Sequence, residues 1–294
     1  MQSIDFQDRY KEKLFEILKF SIDFFEKHGL RWWACGGTML GAVRHHGIIP
    51  WDDDIDIMMP RSDYNKLLSL TEEFKDTGYS VYSTSTPGYY VPSGKICDDN
   101  TTVWEAKRYP MLIGVYIDIF PLDTFDYSFE KYCSLYNNYK KKMMSFELSC
   151  VDYSMSEFYD NIINGEKGSI YYGIKSLFYP KSNRSKYLNG FLGVEQMFNQ
   201  GSGEYIASPT GAYGVREFFK REWFDETISM PFEDFFVNVP VGYDKYLTRM
   251  YGDYLKLPPV EKRTSHHGHF YINLKSRVTL SQAIDKLNNG INIE

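Results

Sequence analysis

Apolar and charged positions recur with helical spacing between residues 6 and 28, near the N-terminus. This pattern predicts an amphipathic helix with one buried face. The apolar stretch 30–35 that follows predicts a strand. It leads into the pair Gly36-Gly37, and we expect Thr38 to cap a short helix behind this glycine turn. A helix start placed after a glycine turn is suited to binding an anion.

Residues 54–59 alternate with a period of two, which predicts a strand. Ile55 and Ile57 then face a core, and Asp54 and Asp56 point together to the opposite side. Carboxylates in an apolar strand are costly unless something pairs with them, so the pattern indicates a functional site rather than a solvated loop.

A second alternating strand is predicted over residues 113–120, with apolar side chains at the odd positions and Asp118 on the opposite face. Pro121 is expected to end it. Between the two strands, Ser62 with Asp63 is predicted to cap a helix from residue 64 to about 74. Shorter alternating stretches predict antiparallel strands or hairpins, at residues 79–83, 89–97 and 101–105.

From about residue 127 to 200 the sequence changes to long stretches of helical spacing that are rich in tyrosine and lysine. Their aromatic stripe, with Tyr132, Tyr136 and Tyr139, is interpreted as core packing. We therefore expect an α+β protein in which helices flank a mixed β-sheet. The predicted organisation is a catalytic core at 1–126, a helical insertion at 127–200, and a C-terminal part of the same unit at 201–294 that completes the substrate site.

Composition indicates a folded globular protein, because 43% of the 294 residues are hydrophobic and 17% are aromatic. The net charge of −6 argues against nucleic acid as a partner but is compatible with a small anionic substrate held by local bases. With neither a long uncharged apolar run nor a signal-peptide pattern, the expected location is the cytoplasm. The four scattered cysteines predict reduced thiols rather than a zinc site.

Asp52, Asp54 and Asp56 are the strongest candidates for chemistry, because carboxylate oxygens are the ligands that Mg²⁺ and Ca²⁺ prefer. An EF-hand loop is a competing interpretation of their spacing. It fails because Ile57 occupies the position that needs glycine, and Asp63 the position that needs a bidentate glutamate.

If the two carboxylate strands are neighbours, Asp54, Asp56 and Asp118 converge on one or two Mg²⁺ ions beside the glycine turn. Such a cluster would hold phosphate oxygens, neutralise developing charge and lower the pKa of an attacking hydroxyl group. Asp118 is also a candidate base for the proton of the acceptor.

Four sequence blocks, in this order, resemble the LicD/fukutin-related phosphotransferase family of the nucleotidyltransferase superfamily. They span residues 30–123 and 221–268, and the resemblance does not extend over about 127–200. The blocks are Gly36-Gly37-Thr38-x-Leu40-Gly41-x-x-Arg44-His45, Ile49-Pro50-Trp51-Asp52-x-Asp54-x-Asp56, Ile117-Asp118-Ile119-Phe120-Pro121-Leu122-Asp123, and Tyr251-Gly252-Asp253-Tyr254 with Pro258-Pro259 and Arg263-x-x-His266-His267.

The resemblance implies a nucleotidyltransferase-like core and an enzyme that uses Mg²⁺, with Mn²⁺ as the alternative ion. It implies transfer of a phospho-alcohol from a CDP-linked donor to a hydroxyl group of a cell-surface glycan, with release of CMP. Phosphocholine is the first choice, and ribitol phosphate and glycerol phosphate are alternatives. Asp54, Asp56 and Asp118 carry over as metal ligands, with Asp52 beside them.

Two other function classes stay open. One is a nucleotidyltransferase that moves NMP to a small-molecule hydroxyl group and releases pyrophosphate. The other is a non-catalytic nucleotide-binding protein, against which three converging carboxylates argue because they repel one another without a metal.

The remaining substrate-binding candidates each have a plainer interpretation. Arg44 is either a bidentate phosphate ligand or the partner of a local carboxylate. Lys95 either contacts the donor phosphate or is a solvated strand residue. The other candidates are Gly36, Gly37, Thr38, Arg263, His266 and His267, of which the two histidines are proton shuttles, substrate ligands or surface residues.

A basic cluster at residues 140–142 is interpreted as a solvated helix face or as a membrane contact. A lipid-linked acceptor glycan at the inner face of the membrane would suit the second interpretation. We therefore expect at most peripheral membrane contact.

Overall fold

The computed structural model describes residues 4–126, 128–152, 159, 163, 167–198, 203–264 and 268–294, which form a mixed α/β architecture. The helices are α1 (Ile4–His28), α2 (Gly36–His45), α3 (Arg61–Ser69), α4 (Phe129–Cys150), α5 (Lys167–Ser176), α6 (Arg184–Glu195), α7 (Tyr243–Tyr251) and α8 (Leu280–Asn288). The strands are β1 (Trp33–Ala34), β2 (Asp56–Pro60), β3 (Tyr79–Tyr82), β4 (Gly94–Asp98), β5 (Thr102–Trp104), β6 (Tyr116–Phe125), β7 (Tyr205–Ala207), β8 (Phe218–Lys220), β9 (Thr227–Phe232), β10 (Phe235–Pro240) and β11 (Tyr271–Asn273). Mixed helix and sheet is confirmed, whereas a nucleotidyltransferase-like core stays a prediction.

The main sheet has the strand order β1-β2-β6-β4-β3, and β7 with β8 extends it from the C-terminal half of β6. Strands β2 and β6 are parallel neighbours, with Asp56 opposite Asp118 and Pro60 opposite Leu122. The other pairs in this sheet are antiparallel. The two strands that carry the predicted carboxylates are therefore adjacent.

Strand β6 runs through Pro121 to Phe125, so the prediction that Pro121 ends the strand is wrong. Proline has no N–H group and is tolerated in a strand where a ladder hydrogen bond is not needed. Antiparallel pairing with β4 stops at Ile119, and pairing with β7 starts at Asp123. Pro121 lies in the gap between these two partners.

Two predicted helix caps are also wrong. Helix α2 begins at Gly36 after Cys35, and α3 begins at Arg61 directly after Pro60. Neither start has a side-chain hydrogen bond to its backbone. The residues that precede the two helices, Cys35 and Pro60, have no side-chain oxygen that could accept such a hydrogen bond.

Helix α1 confirms the first prediction. Its apolar face, with Leu14, Ile17 and Phe25, is buried in the main core, where the helix packs against β4 and β6. Each fully buried side chain of this kind contributes roughly 1.5–3 kcal/mol to the free energy of folding. The helix ends before Gly29, which has a φ of +60°.

The described part of 127–200 is helical, and α4 packs against α6 over a second apolar cluster. Tyr132, Tyr136 and Tyr139 belong to this cluster, which confirms that the stripe packs in a core. Phe125 at the end of β6 also belongs to it, so the helices are joined to the sheet. The division into core, insertion and C-terminal part stays a prediction.

The cysteines are unpaired thiols, as expected, and Cys35, Cys97 and Cys150 are buried. Each helix in the described part of the chain lacks the length or the apolar run that crossing a bilayer would need.

Candidate functional site

The first turn of α2 lies in direct contact with the acidic segment 52–56. Gly36 has a φ of +52°, a left-handed conformation that suits glycine. A Cβ on Gly36 would lie 3.1 Å from Oδ2 of Asp56, and a Cβ on Gly37 would lie 2.5 Å from Oδ2 of Asp52. Glycine at both positions therefore lets two predicted metal ligands approach a helix start that is suited to phosphate.

Thr38 joins α2 to β2. Its Oγ1 accepts a hydrogen bond from the backbone N–H of Asp56, with an N···O distance of 2.8 Å. Thr38 is buried, so this N–H would be left unsatisfied without the hydroxyl group. The side chain thus positions the first residue of β2 instead of capping α2.

Asp56 and Asp118 stand directly opposite each other on β2 and β6. Side chains of directly paired residues on neighbouring strands share one face of the sheet. Both oxygens of the Asp118 carboxylate accept hydrogen bonds from Nζ of Lys95 at 3.0 Å, and Oδ1 accepts a further one from Oγ of Ser93 at 3.2 Å. The two aspartates therefore lie side by side, and their convergence with Asp54 on Mg²⁺ stays a prediction.

Asp52, Asp53 and Asp54 form an acidic loop just before β2, in which one oxygen of each lies within 4.8 Å of the others. The spacing of two in the sequence singled out Asp52, Asp54 and Asp56 and left out Asp53, but the strand begins only at Asp56, so alternation does not apply to this loop. Burial raises the pKa of Asp56 well above its usual range, and the charges of Asp54, Asp118 and Asp52 raise it further. A divalent cation relieves such repulsion between carboxylates. The carboxylate oxygens of the acidic loop and of Asp56 and Asp118 are the kind of donor that fits Mg²⁺.

Lys95 is buried beside Asp118 rather than solvated. Its Nζ lies 3.4 Å from Oε1 of Glu105 and 3.4 Å from the ring centroid of Tyr116. Burial lowers the pKa of Lys95, but attraction to Asp118 and Glu105 outweighs burial and leaves this pKa above its ordinary value. Lys95 therefore stays charged and holds Asp118 in place.

Sequence reasoning missed Glu105, which belongs to no motif. Its carboxylate accepts hydrogen bonds from the hydroxyl groups of Tyr90, at 2.9 Å, and Tyr116, at 2.6 Å. The only signal was indirect, because a lysine in a buried strand requires acidic partners.

Helix α7 brings tyrosines to the glycine turn. The hydroxyl oxygen of Tyr246 accepts a hydrogen bond from the N–H of Gly36 at 3.2 Å, and that of Tyr251 would lie 3.9 Å from a Cβ on Gly36. Tyr251 in turn shares a hydrogen bond of 2.9 Å with the hydroxyl group of Tyr213. Burial raises the pKa of Tyr251 and of Tyr213, so both hydroxyl groups stay protonated and able to donate. Tyr246 and Tyr213 were not predicted, and no local pattern marks them.

Backbone carbonyl groups hold the two predicted arginines. Nη1 of Arg44 donates to the carbonyl oxygen of Tyr254 at 2.7 Å, which joins α2 to the C-terminal block. Nε of Arg263 donates to the carbonyl oxygen of Pro258 at 2.9 Å, and its guanidinium group lies 5.4 Å from the ring centroid of Trp51. Arg263 is thereby placed next to the acidic loop. The predicted His266 and His267 lie outside the described residues.

Comparison with known families gives a match over residues 29–153 to the nucleotidyltransferase domain described as LicD/FKTN/FKRP. This region contains the glycine turn, the acidic loop, Lys95 and Asp118. The resemblance that the four sequence blocks indicate is therefore confirmed.

Individual relatives point to the same family. The chain is 28% identical to the lipopolysaccharide cholinephosphotransferase LicD of Haemophilus influenzae over 258 residues, which are 84% of this chain and 91% of that protein. It is 46% identical to human ribitol 5-phosphate transferase FKRP over 42 residues, which are 14% of this chain and 8% of that protein. An uncharacterised protein of Rickettsia typhi is 33% identical over 112 residues, or 38% of this chain and 35% of that protein.

Proposed function

We propose that this chain, which carries a LicD-family nucleotidyltransferase domain at residues 29–153, is a Mg²⁺-dependent phosphotransferase. It would move a phospho-alcohol, with phosphocholine as first choice, from a CDP-linked donor to a hydroxyl group of a glycan and release CMP. The contact between the glycine turn of α2 and the carboxylates of Asp52 and Asp56, with Asp118 alongside, carries the proposal. The names of the relatives from Haemophilus and human support the phospho-alcohol class. The same proposal takes 1–126 as a nucleotidyltransferase-like core, 127–200 as an insertion and 201–294 as the part that completes the site.

In the proposed reaction, the acceptor oxygen bonds to the phosphorus that carries the alcohol. The bond from this phosphorus to the oxygen of CMP breaks, and the acceptor proton passes to a carboxylate of the site. Asp54, Asp56 and Asp118, with Asp52 and Asp53 adjacent, would hold Mg²⁺, which supplies neutralisation of phosphate charge.

The other groups of the site would bind and orient the donor. Backbone N–H groups at the start of α2 are suited to a phosphate oxygen, and the protonated hydroxyl of Tyr251 stands next to that start. Lys95 keeps Asp118 in position through its two hydrogen bonds. Arg263, beside the acidic loop, is a further candidate for donor contact.

A cavity of about 320 Å³ between α4 and two loops supports choline as the alcohol. Its lining includes Tyr90, Tyr136, Tyr139, Met143 and Glu147. Aromatic faces and a carboxylate bind quaternary ammonium groups through cation–π contacts and charge attraction. Lys140 also borders the cavity, with Nζ 5.9 Å from the ring centroid of Tyr136, and a choline group would replace this contact.

Two wall residues of the cavity are sequence neighbours of residues at the carboxylate site. Its wall residue Pro92 immediately precedes Ser93, which donates to Asp118, and its wall residue Ala212 immediately precedes Tyr213. These two adjacencies support a donor whose phosphate lies at the carboxylates and whose alcohol lies in the cavity.

Phosphorus NMR tests the function directly. The protein is mixed with Mg²⁺ and, separately, with CDP-choline, CDP-ribitol or CDP-glycerol, and the expected result is slow conversion of one donor to CMP. With nucleoside triphosphates in place of these donors, release of pyrophosphate would favour the nucleotidyltransferase alternative. Failure with every CDP-alcohol would contradict the proposal.

Two variants test the choline assignment separately. Tyr136→Leu removes a ring face and is expected to raise KM for CDP-choline about tenfold, whereas Tyr136→Phe keeps the ring and the wild-type KM. Equal KM values for the Leu and Phe variants would reject the cavity while leaving the reaction class intact.

A further inference from the structure

The segment from residue 167 to 194 differs in charge from the rest of the chain. It contains five basic residues and no aspartate or glutamate, although the whole chain carries a net charge of −6. The basic residues are Lys167, Lys175, Lys181, Arg184 and Lys186. Lys175, Lys181 and Lys186 are exposed, and Lys181 forms an ion pair with Asp152.

Large apolar side chains are exposed in the same segment. Tyr171 and Ile174 are each 47% exposed, Leu177 is 77% exposed and Phe178 is 76% exposed. Tyr171, Ile174 and Lys175 lie on one face of α5 by helical spacing, and Leu177 with Phe178 follows directly after its last turn. We call these five residues the basic-apolar surface.

The opposite side of α5 is anchored in the protein. Tyr172 packs against the second apolar cluster, and the guanidinium group of Arg108 lies 4.4 Å from its ring centroid. Beyond α5, the rings of Tyr179 and Tyr187 meet at 5.5 Å, so the segment that follows Phe178 packs back on α6, which carries the exposed Lys186. The orientation of the basic-apolar surface is therefore fixed by packing.

We propose that the basic-apolar surface docks on an anionic lipid bilayer. A soluble monomer rarely leaves several large apolar side chains exposed together, and lysines around such a patch attract anionic headgroups. An amphipathic helix lying in the interface buries its apolar side chains near the headgroups and keeps its lysine ammonium groups in water. The lysine-rich segment gives this surface a charge opposite to that of the membrane, in a chain whose overall charge would oppose binding. The inference does not depend on the proposed reaction.

Vesicle flotation tests this inference without reference to activity. The wild-type chain is expected to float with vesicles of phosphatidylcholine mixed with phosphatidylglycerol, much less with phosphatidylcholine alone, and less at high salt. Leu177→Ser combined with Phe178→Ser is expected to lower binding at least about tenfold, because it removes two inserted apolar side chains.

Two further variants make the test specific. Phe236→Ser removes a phenylalanine that is 61% exposed on β10, outside this surface, and should bind like the wild type. Lys175→Glu with Lys186→Glu leaves the apolar residues in place and should abolish the preference for phosphatidylglycerol. Equal binding to both vesicle types, or wild-type binding by the Leu177 and Phe178 variant, would overturn the inference.

Discussion

Strand β6 carries two aspartates, Asp118 near its start and Asp123 near its end, and their surroundings differ. The carboxylate of Asp123 is fully buried and accepts two hydrogen bonds from the guanidinium group of Arg61, at 2.7 and 2.8 Å. Asp118 also has a buried cation, Lys95, at 3.0 Å from each oxygen. Each aspartate therefore shares its cation with a second acid, Glu195 beside Arg61 and Glu105 beside Lys95, but Asp118 also stands opposite a further acid on the neighbouring strand, Asp56.

Near Asp123, the ion pairs of Arg61 hold elements of the fold together. Arg61 also lies 3.3 Å from Glu195 at the end of α6, which joins the helices of 127–200 to the sheet. At the Asp118 end, nearby carboxylates raise the pKa of Asp56 on the neighbouring strand. A buried ion pair alone is thus weak evidence of function, whereas acids that outnumber their cation beside a glycine turn indicate a site for a cation or an anionic substrate.

The strongest test of this comparison is Asp56→Asn. Loss of one carboxylate is expected to lower kcat about a thousandfold, because stabilisation of the transferring phosphate weakens. Unfolding by urea should show no loss of stability, since the change also removes repulsion. The exposed Asp8→Asn provides the control, and an Asp56→Asn protein that turned over normally would remove this residue from the site.

The matching test at the other end is Arg61→Met. It leaves Asp123 buried without its cation and should lower the free energy of unfolding by about 3 kcal/mol or more. Arg9→Met breaks the exposed ion pair with Asp5 and should cost less than about 1 kcal/mol. Urea denaturation of both variants decides the point, and similar losses would refute the structural role.

Glu217 is a buried acid to compare with Asp118 and Asp123. Its Oε1 accepts a hydrogen bond from the N–H of Tyr213 at 2.8 Å. Burial raises the pKa of Glu217 to about 7. Since this value lies above the ordinary value of 4.5, the folded state binds the proton more tightly, and this stabilisation is lost as the pH rises from 4.5 to about 7.

The wild type should therefore lose stability as the pH rises, whereas Glu217→Gln should not. At pH 8 the free energy of unfolding of Glu217→Gln should exceed that of the wild type by up to about 3 kcal/mol. Denaturation across this pH range measures the difference, and the exposed Glu222→Gln should leave the pH profile unchanged. A parallel profile for the wild type and Glu217→Gln would contradict the assignment.

The smallest expected effect is at Thr38. Thr38→Val keeps the shape but leaves the N–H of Asp56 without its acceptor, which should cost about 1–2 kcal/mol in the free energy of unfolding. Thr38→Ser keeps the hydroxyl group and should retain most of that stability. Equal stability of the two variants would show that the hydrogen bond contributes little.

Much of the fold and of the site could be predicted from local patterns. Helical spacing located α1, and alternation placed Asp56 and Asp118 on the polar face of their strands, although it left open whether β2 and β6 are neighbours. Prediction failed where the decisive contact is not local: Pro121 is tolerated because two different strands pair on either side of it. Asp53 was missed because the spacing of two pointed to Asp52, Asp54 and Asp56, whereas residues 52–54 precede β2 in a loop where alternation does not apply.

By itself, the sequence determined which residues carry charge, where glycine allows a close approach, and which face each strand presents, because these follow from spacing within one element. Only the tertiary structure decided which cation neighbours each acid. It also decided that Tyr246 meets Gly36, a contact across 210 positions of the chain. Side-chain periodicity ends with its own helix or strand, whereas pairing of charges depends on which elements pack together. For this reason Asp118 and Asp123 look alike in the sequence and differ in the fold.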